Sequence, residues 1–144
     1  MSAATAAHLA SIGRWLAKAD PDPDHAHRWW GAQQVALLPL GRIWDAVKTE
    51  AGHGERALSA GACGPVVADP AGWLFFLVPP GTAETWVPVP GTECLGRTAY
   101  LTIPAPQRRS APGVYWRVLP DGRGTLVDPQ HLRAALSPRE GARA

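Results

Sequence analysis

Trp73-Leu74-Phe75-Phe76-Leu77-Val78 is an unbroken apolar run, and it restricts the fold more than any other stretch of the chain. The turn sequence Asp69-Pro70-Ala71-Gly72 precedes it and Pro79-Pro80-Gly81 follows it, which leaves room for a strand but not for a helix. Side chains alternate across a strand, so Trp73, Phe75 and Leu77 face one way and Leu74, Phe76 and Val78 the other. Both faces of the sheet must therefore be covered, and this strand belongs to the core. Residues 66–68, on the other side of the turn, are its natural hairpin partner.

The rest of the pattern supplies what covers it. Leu9, Ile12 and Leu16 recur at helical spacing and predict an amphipathic helix over residues 4–19. Asp22 followed by Pro23 marks the start of a second helix running to Trp30, with Gly31 as its left-handed terminus. Asp128 and Pro129 give the same signature to a last helix that buries Leu132, Ala135 and Leu136. Shorter helices are expected over residues 55–60 and after Thr82, which can cap one turn ending near Trp86.

Further strands come from apolar runs and alternation. Residues 35–38 read as a central strand covered on both faces; residues 42–47 could be a neighbouring strand or a helix start, with the strand favoured and Gly52-His53-Gly54 ending it. Over residues 98–103, Thr98, Tyr100 and Thr102 share one face while Ala99, Leu101 and Ile103 share the other. Over residues 114–119, Val114, Trp116 and Val118 are expected inside and Tyr115 and Arg117 outside, and these last two strands are expected to pair through a long loop. The fold class is α+β: a single domain with a mixed, mostly antiparallel sheet and helices from both ends packed on it. A helical segment over 1–32 precedes a core over 33–137, and 138–144 reads as a disordered tail.

Composition sets the partner classes. A chain of 144 residues buries roughly 68–70% of its unfolded surface. With 46% hydrophobic and 18% charged residues it should fold without a disulfide or metal staple. A net charge of +2 neither advertises nor excludes a nucleic-acid partner. No secretory leader or membrane span is legible, which places the protein in the cytoplasm. Abundant Ala, Gly, Pro and Arg is what a high-GC bacterial genome encodes. Cys63 and Cys94 lack CxxC spacing and read as two reduced, buried thiols, with one disulfide as the alternative.

The order Val-Ala-Leu-Leu-Pro-Leu-Gly, Ile-Trp-Asp-Ala-Val, Gly-Pro-Val-Val-Ala and Trp-Leu-Phe-Phe-Leu-Val-Pro-Pro-Gly-Thr-Ala resembles the N-terminal primase/polymerase domains of bacterial bifunctional replication proteins. Tyr-Leu-Thr-Ile-Pro-Ala-Pro and Val-Tyr-Trp-Arg-Val-Leu-Pro extend the likeness, which spans about residues 33 to 136. The resemblance implies the archaeo-eukaryotic primase fold, whose chemistry uses paired acids on one strand, a histidine on a later strand and a further acid to hold divalent metals. Asp45 stands where the first acid would be, but Val47 and Lys48 follow where its partner should stand. Glu50 is the nearest other acid; five residues of strand set it roughly 17 Å away and on the opposite face. The hairpin offers only apolar residues where the family histidine belongs. What the resemblance implies is thus the fold without its chemistry: Asp45 a vestigial acid, no catalytic residue, no metal, no cofactor.

Two functional expectations follow. The first is a non-catalytic domain that binds nucleic acid or a nucleotide across an exposed sheet face carrying Arg97, Tyr100, Arg108, Arg109, Tyr115 and Arg117, with Arg123 nearby. The second is a protein interaction module, against itself or a partner, using Trp30 and Trp86 as surface anchors; Trp15 has similar polar neighbours, whereas Trp44, Trp73 and Trp116 sit in core patterns. An enzyme using Asp45 and Glu50 is a third possibility. Asp22, Asp24, His25, His27 and His53 crowd with metal-ligand chemistry but read as solvated surface, because His25 and His27 face different directions on a helix.

Overall fold

The structure is a computed structural model that describes residues 2–137; the tail expected over 138–144 lies outside the described residues. In chain order it forms α1 (Ala3–Ala17), α2 (Pro23–Gln33), β1 (Val35–Pro39), β2 (Asp45–Glu50), α3 (Ala51–Ser59), β3 (Val66–Asp69), β4 (Trp73–Val78), α4 (Thr82–Thr85), β5 (Thr92–Leu95), β6 (Tyr100–Pro104), β7 (Tyr115–Val118) and α5 (Pro129–Leu136). The fold class is α+β with antiparallel pairing throughout these elements.

The apolar run is β4, the middle of a five-stranded sheet ordered β5-β2-β4-β3-β7. Its two faces divide as the alternation requires. Phe75 and Leu77 join Ala46, Val67 and Trp116 on one face, under Ile12 and Leu16 of α1 and Trp30 of α2. Leu74, Phe76 and Val78 join Val47, Val66 and Ala68 on the other, under Ala57 of α3 and Leu132 of α5. The α5 start is as the sequence implies, with the Asp128 carboxylate accepting from the Gln130 N–H and Pro129 in the first turn.

A second sheet closes the first face. It has two strands, β1 and β6, in a register that sets Val35 opposite Pro104 and Pro39 opposite Tyr100. This corrects two expectations. The run over 35–38 is not a central strand, since Ala36 and Leu38 are buried but Leu37 is 45% exposed. Nor do β6 and β7 pair: β7 lies against β3, with Val67 opposite Trp116 and Ala68 opposite Tyr115. The reason is that Trp116 is worth more inside than a local hairpin is: its ring is buried and its Nε1–H donates to the Pro104 carbonyl at 2.9 Å. Trp30 does the same one residue earlier, donating to the Ile103 carbonyl at 3.0 Å. Two indoles thus fasten β6 to the rest of the molecule.

Smaller departures have local causes. The second helix ends not at Gly31 but three residues on, with Gln34 in the left-handed region at φ 66°. Gly52 and Gly54 do not stop the chain but lie inside α3, and Gly54 has to be glycine there. A Cβ at that position would lie 2.5 Å from Leu74 Cδ1 and 2.7 Å from Thr49 Oγ1, so its absence lets the helix press onto the sheet. Gly81, not Thr82, is the residue before α4. Cys63 is exposed rather than buried; both thiols are free.

Candidate functional site

The outer face of the two-stranded sheet carries the candidate site. Alternation along β1 and β6 turns Ala36, Leu38, Leu101 and Ile103 inward, which leaves Leu37, Pro39 and Tyr100 on the outside. Tyr100 is 61% exposed. With the α1–α2 connection and the turn after β1, these residues line an open cleft of about 620 Å³.

One wall is built by a polar relay. Asp20, only 7% exposed, accepts from the Asp22 backbone N–H at 2.9 Å and contacts His25 Nδ1 at 2.7 Å. The Trp29 indole N–H, 2.8 Å from His25 Nε2, can only donate. His25 Nε2 is therefore the acceptor, and Nδ1 carries the proton given to Asp20. Both ring nitrogens are occupied, so His25 is held as wall rather than offered as a base.

The same cleft carries positive charge. Arg42 and Arg97 line it, both side chains exposed, and among the described residues neither forms an ion pair or a side-chain hydrogen bond. Gly41 brings the backbone before Arg42 against that of Arg97. At φ +94° it adopts a conformation that favours glycine, and a Cβ there would fall 2.5 Å from Arg97 Cγ and 2.8 Å from Arg97 Cα. The Gly41 N–H donates to the Trp44 carbonyl at 2.8 Å and the Leu40 N–H to the Ala99 carbonyl at 3.0 Å, locking the turn against the residues that carry Arg97.

Of the residues expected to share one face, the structure brings together only Arg97 and Tyr100. Arg108 is spent on its own loop, donating through Nε to the Val114 carbonyl at 3.1 Å and also to the Ser110 and Pro112 carbonyls. Arg109 is exposed on the same loop and does not line the cleft. Tyr115 is not outward but packs against the core under α3 and α5. Arg117 forms a two-pronged pair with Glu55, at 2.8 and 2.9 Å, and that hydrogen bond and charge raise its already high pKa. Arg123 is exposed beside Asp121, whose carboxyl is lowered chiefly by a hydrogen bond from Thr125. The sequence pattern alone does not single out Arg42; the glycine before it, at the end of an apolar strand, was the available signal.

The surface exposure expected of Trp30 and Trp86 is corrected as well. Trp30 is 6% exposed and committed to Ile103, so it is a core residue rather than a surface one. Trp86 is half-buried against the second core, 3.4 Å from the Thr92 hydroxyl. Trp15 rests on Trp44, ring centroids 5.3 Å apart.

Asp45 lies on the other side of the central sheet from the cleft. It is 1% exposed; Oδ2 accepts from the Ala83 backbone N–H at 2.9 Å, and Oδ1 has no hydrogen-bond partner among the described residues. Gly96 stands beside it just past the end of β5, where a Cβ would meet Ala83 Cβ at 2.8 Å. Burial, and then the Asp45 charge, push the nearby Cys94 thiol up to about 12. Glu50 is exposed at the far end of β2. Among the described residues, no three His, Cys, Asp or Glu side chains are placed to hold one metal ion, and no helix is long and apolar enough to cross a membrane.

Comparison of the chain with family models, curated proteins and solved structures gives no match.

Proposed function

We propose that this chain is a non-catalytic binding module of primase/polymerase type whose ligand is a nucleotide or a single-stranded nucleic acid, held in the cleft outside β1 and β6. The observation that carries the reading is the pairing of two uncommitted guanidiniums with an exposed aromatic ring on a rigid sheet face. Arg42 and Arg97 are suited to phosphate, because each offers a planar fork of donors that stays charged. Tyr100 and Leu37 offer a flat apolar bed on which a base can stack, and such stacking is worth about 1–3 kcal/mol per base. Asp45 supports a non-catalytic reading: one oxygen is spent on a backbone N–H, the carboxylate is buried, and Glu50 is out of its reach.

The test is fluorescence anisotropy of a labelled single-stranded oligonucleotide, titrated at several salt concentrations. Binding should weaken with salt. Arg42→Ala or Arg97→Ala should each lower the slope of log K against log salt by about 0.7 for every phosphate left without its cation. Tyr100→Ala should weaken binding about tenfold or more without changing that slope. Arg108→Ala and Arg117→Ala serve as controls that leave affinity unchanged. No detectable binding of DNA, RNA or nucleotide at low salt rejects the reading, and manganese-dependent nucleotide transfer abolished by Asp45→Ala would replace it with an enzyme.

A further inference from the structure

Resting on that reading, we infer that the cleft selects a terminal phosphate monoester, seated between Arg42 and Arg97, over the internal phosphodiesters of a strand. The distribution of cations is the reason. A groove that tracks a strand spreads its positive charges along a path, so that successive phosphates each meet one. Here the two free guanidiniums arise from a single point of the rim. The missing Cβ of Gly41 puts residue 41 in backbone contact with residue 97, since the absent atom would lie 2.8 Å from Arg97 Cα. Arg42 follows one peptide later, about 3.8 Å along the chain. Of the arginines that could have extended the path, Arg108 is committed to its own loop and Arg117 to Glu55, and Arg109 does not line the cleft.

The chemistry of the two phosphate forms differs in a way this geometry reads. A monoester carries a charge of about −1.5 to −2 at neutral pH and three terminal oxygens, enough to engage two guanidinium forks at once. An internal diester has one charge and two such oxygens, and leaves part of a paired fork unmatched. The one acidic residue in the lining gives the site a direction. The Asp20 carboxylate is already satisfied by His25 and the Asp22 N–H, so it repels phosphate, while Tyr100 offers its ring to a base. A free nucleoside monophosphate and the phosphorylated end of a strand share this chemistry.

Four probes separate the possibilities: one single-stranded oligonucleotide with a hydroxyl at both ends, the same strand phosphorylated at its 5′ end, the same strand phosphorylated at its 3′ end, and a nucleoside monophosphate. The expected result is that the monophosphate or at least one phosphorylated strand binds about tenfold or more tightly than the hydroxyl-ended strand. Whichever of them does so identifies the source. Arg42→Lys and Arg97→Lys keep the charge but remove the fork, and each should cut that preference to about threefold or less, with an unchanged circular dichroism spectrum. Equal affinity for all three strands, with the monophosphate no tighter, overturns the inference and leaves the nucleic-acid reading standing. Preference retained in both lysine variants also overturns it. Silence from every probe removes the inference and the reading together.

Discussion

Replacing Trp116 by Phe tests how the two sheets are held together. The substitution keeps an aromatic ring in β7 but deletes the indole N–H that reaches the Pro104 carbonyl at 2.9 Å. The bonds from Ala105 N–H to the Gln34 carbonyl and from Leu40 N–H to the Ala99 carbonyl set the phase of the β1–β6 ladder. By the alternation of antiparallel pairs, Ile103 then exchanges bonds with Ala36, whereas the Pro104 carbonyl points away from β1. In Trp116→Phe that buried carbonyl loses its indole donor, at a cost of about 1–3 kcal/mol. The smaller ring leaves a void worth about 1 kcal/mol more. A loss of about 2–4 kcal/mol should lower Tm by roughly 5–15 °C for a domain of this size.

Trp30→Phe is the control. It removes an equivalent bond at 3.0 Å and leaves a similar void, but the Ile103 carbonyl keeps its ladder partner, so the cost should be about 1–2 kcal/mol, at the low end of that for Trp116→Phe or below it. Urea unfolding followed by far-ultraviolet circular dichroism measures both, with an unchanged m-value as the sign that the denatured state is unaltered. If Trp116→Phe lies within about 0.5 kcal/mol of the parent, or costs no more than Trp30→Phe, the reasoning about the unpaired carbonyl is wrong.

Two further outcomes are expected. At pH 8 a thiol reagent should label Cys63, which is exposed, and spare Cys94, whose pKa is pushed up to about 12 from 9.0; similar labelling rates would contradict this. Because the folded value lies above the unfolded one, the Cys94 contribution is intact below pH 9 and is lost as pH rises from 9 towards 12, where the unfolded thiol ionises first. Cys94→Ala should flatten stability against pH in that window, and an unchanged profile would show that another group controls it. Gly54→Ala should destabilise by about 1–3 kcal/mol, because crowding against Leu74 and Thr49 outweighs the gain in helix propensity of about 1 kcal/mol; a rise in Tm would show that the helix can shift away from the sheet.

What the sequence made legible was whatever is encoded locally. The β3–β4 hairpin is written in its turn residues and in a run apolar at every position, and α5 in the Asp128-Pro129 start. Burial on both faces of β4 followed from the same run. The partner of each later strand was not encoded this way. Nothing near Tyr115 announces that β7 joins β3, since that choice is made by the burial of Trp116 against residues distant in sequence. β5 escaped notice because Thr92-Glu93-Cys94-Leu95 has neither alternation nor an apolar run and follows a proline-rich stretch. At the site, residue type identified Arg97 and Tyr100, but only the fold brings in Arg42, through the closeness of Gly41 to Arg97. Folding also takes Arg108, Tyr115 and Arg117 away from the site, since hydrogen bonds and packing commit them elsewhere.

The β1–β6 ribbon joins the beginning of the chain to its later part, Val35 meeting Pro104 and Pro39 meeting Tyr100. During synthesis the first of these strands leaves the ribosome long before the second exists, while the β3–β4 hairpin can close as soon as it emerges. The bed beneath any ligand is therefore among the last parts of the molecule to be assembled. A nascent chain stalled before residue 97 would carry Leu37 and Arg42 yet lack both the second guanidinium and the ring that complete the cleft.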